Sequence, residues 1–134
     1  DIETAKHMLN TGRHVYVIFM SHLALEKALK ALVTEETQQL PPRTHNLIDL
    51  ARRANVSLSQ PHRDFLGQIN DASVVTRYPE DLQRTVAQYP ESVARRYLET
   101  TKEVVKWLRQ DPRLQTEQLD TDGSSPTWES ESRA

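Results

Sequence analysis

Val15, Ile18, His22, Leu25, Leu29 and Leu32 recur at alternating three- and four-residue steps, and nothing in that stretch breaks the rhythm. Only an α-helix returns such positions to one side of the chain, so the spacing predicts a helix from about Arg13 to Glu35 with a packing seam along it. At ~1.5 Å per residue it would be roughly 34 Å long, a spine for everything else. No alternating apolar run bounded by turn residues argues for a strand, and the chain has three glycines in 134 residues. The expected fold is all-α, an up-and-down bundle of about five helices with a mobile C-terminal tail.

The remaining helices follow from shorter stripes and their stop signals. Ile2, Ala5 and Leu9 mark a first helix that Gly12 closes, because glycine accepts the left-handed conformation at helix ends. After Pro41-Pro42 a short helix begins at Thr44 as N-cap, buries Leu47, Leu50, Ala51 and Ala54, and ends at Asn55. Ser59 or Gln60 ahead of Pro61 opens the next, with Phe65, Leu66, Ile69 and Ala72 inward and an end near Val75. Residues 80–88 suit a short helix. Residues 90–110 suit a long one, with Val93, Tyr97, Val104, Trp107 and Leu108 inward. From Arg113 onward the chain turns polar, too poor in apolar groups to offset the entropy of ordering. The domain expectation is therefore a bundle over 1–112 and a disordered acidic tail over 113–134.

Composition excludes more than it selects. There is no cysteine, hence no disulfide, thiolate metal site or cysteine nucleophile, and a reducing cytoplasm is the expected setting. No segment has the length of a membrane span. His7 and His14 lack a third ligand, so no metal and no cofactor is expected. The formal charge of −2 divides into −3 for residues 113–134 and +1 for the body, which leaves no broad basic face for long nucleic acid.

Three short segments carry chemistry. Arg77, Tyr78 and Pro79 put a planar cation and an aromatic ring beside a proline-stiffened turn, a pairing suited to phosphate or carboxylate and to stacking. His22, Glu26 and Lys30, four residues apart, form a polar line beside the seam, either an ion-paired bundle edge or a carboxylate that orients a cation toward a pocket shared with Arg77. Thr44 and His45 stand where a helix begins, and free amides there either hold a phosphate or merely start the helix. Asn70, Asp71 and Ser73 suit the same pocket, although polar residues near a helix end more often cap or face water.

The wording and order of HLALEKALKA at 22–31, RTHNL at 43–47 and TRYPE at 76–80 resemble the HEPN domain family. The resemblance implies an all-helical, often dimeric domain of the kind encoded beside a small nucleotidyltransferase, acting in toxin–antitoxin pairs, binding nucleotide or cleaving RNA. RNA-cleaving members carry an arginine followed four to six residues later by a histidine, a spacing absent here. The leading expectation is thus a non-catalytic module that binds a nucleotide, RNA or a partner nucleotidyltransferase through Arg77, Tyr78, His45, Thr44, His22, Glu26 and Lys30. The rivals are an RNA-cleaving enzyme with an atypical site drawn from Arg77, Tyr78, His22 or His45, and a structural dimeric interaction module. A homodimer is expected from Met20, Leu23, Ala24 and Ala28, a second apolar face on the long helix.

Overall fold

The computed structural model describes residues 1–10, 12–77 and 82–115. Six helices account for most of them: α1 Ile2–Asn10, α2 His14–Thr37, α3 Leu47–Arg53, α4 Gln60–Arg77, α5 Leu82–Gln88 and α6 Glu91–Arg109. No strand occurs among the described residues, and none of the described helices is long and apolar enough to cross a membrane.

Helix ends form where the backbone leaves the right-handed region. Gly12, at φ 78°, closes α1: its N–H donates to Leu9 O at 3.2 Å and the Arg13 N–H to Met8 O at 2.8 Å. Asn55, at φ 56°, does the same for α3, with its N–H on Arg52 O at 3.0 Å and the Val56 N–H on Ala51 O at 3.0 Å. Both are the paired 5→2 and 6→1 closure that satisfies carbonyls left over at a helix end.

Helix α2 is the axis of the bundle. Val17, Ile18, Ser21, Leu25, Leu29 and Leu32 are fully shielded, and Ala24, Ala28 and Val33 are buried beside them, so a broad face of it is enclosed. The four long helices alternate in direction. The Asp1–Lys27 ion pair at 2.8 Å and the Leu9–Val17 cluster set α1 antiparallel to α2. The His22–Asn70 contact with Thr76 near Met20 does so for α4, and His62 against Trp107 sets α6 antiparallel to α4.

The packing corrects several expectations. Val17 replaces Val15 on the inner side of α2, and Ala94, Leu98, Thr101 and Val105 join α6's buried face, whereas Trp107 is 38% exposed, its ring centroid 5.2 Å from that of His62 at an interplanar angle of 62°. Ala24 and Ala28, assigned to a dimer face, are buried in the cluster that holds Val104, Val105 and Leu108, and Met20 packs on the smaller cluster around Ala5 and Val17. Helix α4 runs two residues beyond Val75, so Arg77 is its last helical residue rather than part of a turn. Tyr78 and Pro79 lie outside the described residues.

Three residues assigned to the tail, 113–115, belong to the body, Gln115 by its Nε2 donating to Arg109 O at 2.6 Å. Arg113 Nη1 donates to Glu36 Oε1 at 2.9 Å and to Ala54 O at 2.5 Å, while Nε and Nη2 hold Asp111 at 3.0 and 2.9 Å. Leu114 packs on the main core. The remainder of the expected tail, residues 116–134, falls outside the described residues.

Candidate functional site

A cleft of about 460 Å³ opens between α2, the start of α3 and the second half of α4, lined by His22, His45, Asn46, Asn70, Asp71, Ser73 and Val74. Its floor is a hydrogen-bonded chain whose polarity is fixed from one end. Asn46, not Thr44, caps α3: its Oδ1 accepts from the amides of Ile48 at 3.0 Å and Asp49 at 3.3 Å. That oxygen also accepts from Asn70 Nδ2 at 3.1 Å. Asn70 must then turn Oδ1 the other way, where it accepts from the Leu47 amide at 3.1 Å and meets His22 Nε2 at 3.3 Å. An oxygen already facing an amide donor requires a proton on His22 Nε2.

The second part of the floor centres on Glu26, which is buried. Lys30 Nζ donates to its Oε2 at 2.9 Å, His45 Nδ1 lies 3.0 Å from both carboxylate oxygens, and His22 Nδ1 is 3.8 Å from Oε1. Burial alone would push the Glu26 carboxyl up, but the hydrogen bonds and charges of Lys30 and His45 outweigh it, so it lies below the ordinary carboxylate range. An ionised carboxylate accepts only, hence His45 donates through Nδ1 and presents Nε2 to the cleft; its side chain is 60% exposed.

The sequence-predicted residues therefore divide. His22, Glu26 and Lys30 do form one polar line, and His45 joins it across 19 positions of sequence, a contact that helical spacing does not reveal. His45 sits just before the α3 cap rather than in the first turn, so its nearest charge is the Glu26 carboxylate and not the helix end. Of the amides of residues 44–47 proposed as a phosphate seat, that of Asn46 is taken by Thr44 Oγ1 at 3.1 Å and that of Leu47 by Asn70, and the next two, of Ile48 and Asp49, are taken by Asn46. Arg77 lies seven residues beyond Asn70, two turns further along the same register of α4. Asn46 was missed altogether. Asn70, which joins three elements, was discounted, although its place one residue after Ile69 and four after Leu66 was the available signal.

Two larger cavities differ in kind. One of about 740 Å³ borders Asp1, Lys27, Lys102 and Lys106. Another, of about 700 Å³, is walled by Met8, Val15, Tyr16, Phe19, Met20 and Val86. Neither has a comparable set of interlocked polar side chains drawn from three helices.

An alternating bundle with a polar cleft at its central helix defines a helical-bundle module with a ligand-sized recess. The family model of the HEPN domain matches residues 1–111, and the chain belongs to that family. No curated protein and no solved structure shows a significant match to it.

Proposed function

We propose that this chain is a non-catalytic HEPN module of the nucleotidyltransferase-associated type, acting in the cytoplasm as one component of a toxin–antitoxin pair, and that its cleft binds a nucleotide or the end of an RNA. The observation that carries the reading is the cleft itself. Its volume of about 460 Å³ falls within the range of small-molecule sites and suits one nucleotide rather than a duplex. The polar chain on its floor also exceeds what helix packing requires, since Asn70 and His22 are more expensive to bury than apolar residues of similar size.

In this reading the base and sugar lie over Asn70 and His45 while the phosphate extends along α4 toward Arg77, whose guanidinium suits a phosphate oxygen pair. The non-catalytic assignment rests on the missing arginine-to-histidine spacing. Replacement of Arg77 by alanine is the test. Calorimetric titration with nucleoside monophosphates should show at least a tenfold loss of affinity, the equivalent of about 1.4 kcal/mol, with little change in melting temperature. An Arg77→Ala protein that melts much earlier yet binds as before would show that the residue supports the fold and not the ligand.

A second reading has its own support. Tyr16, Val74, Val75 and Val86 are 57%, 63%, 42% and 52% exposed. Tyr16 and Val86 share the apolar cavity at the α1–α2 turn, which gives a homodimer, or a complex with a small nucleotidyltransferase, a contact face. Light scattering at tens of micromolar tests the dimer, and a monomer mass would remove it.

A further inference from the structure

The unused hydrogen-bonding capacity of the cleft identifies which part of a nucleotide it would read. Lys30 is committed to Glu26, so no lysine remains to meet an anion there. What remains is one Nδ2 hydrogen on Asn70, the Ser73 hydroxyl, His45 Nε2 and the Asp71 carboxylate. Ser73 is 3% exposed yet lines the cleft, and no hydrogen bond among the described residues uses its hydroxyl. Asp71 enters no ion pair among the described residues. Its negative charge reaches Tyr89, whose hydroxyl is pushed up first by burial and then by Tyr97 and Asp71. A phosphate placed here would meet that uncompensated carboxylate and be repelled. A neutral ring with adjacent N–H donors would be held.

We propose that the cleft is a base-reading site selective for guanine. Guanine alone among the common bases presents two parallel N–H donors, N1–H and N2–H, that a carboxylate accepts together, with a carbonyl beside them for a neutral donor. Asp71 supplies the carboxylate and Asn70 Nδ2 the donor, one residue apart on α4 and both at the cleft wall. The His45 ring and the Val74 side chain provide flat and apolar surface for the base. Adenine offers the carboxylate a single amino group and loses the second bond. This inference rests on the nucleotide reading above and adds the identity of the base to it.

The test titrates the purified chain with GMP, AMP, UMP and CMP. GMP should bind at least tenfold tighter than AMP, and in Asp71→Asn, which cannot accept both donors, the two affinities should come within threefold of each other with the melting temperature unchanged. Affinities for GMP and AMP within threefold of each other, or a preference that survives Asp71→Asn, would overturn the inference. If the four nucleotides bind equally and Arg77→Ala still weakens them, the nucleotide reading stands and base selection falls. If none binds at millimolar concentration, both fall.

Discussion

Replacement of Asn70 by alanine tests whether the floor of the cleft is a structural hub as well as a recess. The substitution deletes three contacts: the Leu47 amide at 3.1 Å, His22 Nε2 at 3.3 Å and Asn46 Oδ1 at 3.1 Å. Leu47 is fully buried, so its N–H gains no water in exchange, and an orphaned buried donor costs about 1–3 kcal/mol. The other two bonds add about 1 kcal/mol between them, because Asn46 keeps its two amide donors and His22 lies at the cleft wall. The sum is roughly 2–4 kcal/mol, which at this chain length lowers the melting temperature by about 8–16 °C. Thermal unfolding followed by circular dichroism is the assay. Asn70→Asp serves as control, since it keeps the acceptor for Leu47 but sets an acceptor against Asn46 Oδ1. A melting temperature within 2 °C of wild type for Asn70→Ala would refute the assigned polarity of the whole chain from Asn46 to His22.

Two further perturbations have defined outcomes. Because the Glu26 pKa is depressed in the fold, its contribution is fully present above the ordinary carboxylate value of about 4.3 and is lost as pH falls through the folded value. Glu26→Gln should therefore melt below wild type at pH 7, with the gap closing as pH falls below the ordinary carboxylate range; a gap independent of pH would contradict the ionised assignment. Arg113→Ala should lower stability by about 1–2 kcal/mol, since it releases Glu36 and the Ala54 carbonyl together, and Arg113→Lys should recover part of it. No change in either variant by thermal unfolding would show that residues 113–115 are not part of the bundle.

The parts of this fold that were legible in the sequence are those governed by local periodicity. The α2 seam, the α1 stripe closed by Gly12, and the inner faces of α3 and α4 all follow from spacing, because in each case burial of one side decides the helix. The cap of α3 did not. Thr44 and Asn46 are both capping residues two apart, and the choice fell to Asn46 because Asn70 braces it from another helix. The same limit hid the cleft. His22, Glu26 and Lys30 were visible as a line on one helix, whereas the contacts of His45 with Glu26 and of Asn70 with Leu47 depend on how α3 and α4 meet α2. The second face of α2 was misjudged for a related reason: small residues such as Ala24 and Ala28 look like an exposed dimer seam until α6 is packed against them.

The most direct test of the central claim maps where a nucleotide lands. Amide chemical shifts of isotope-labelled protein, followed by nuclear magnetic resonance during titration with GMP, should move at residues 45–47, 70–74 and 77 and at the His22 and His45 ring signals. The apolar cavity around Tyr16 and Phe19 should stay unchanged. Shifts confined to that apolar cavity, or to the cationic recess around Lys102 and Lys106, would contradict the assignment of the polar cleft as the binding site.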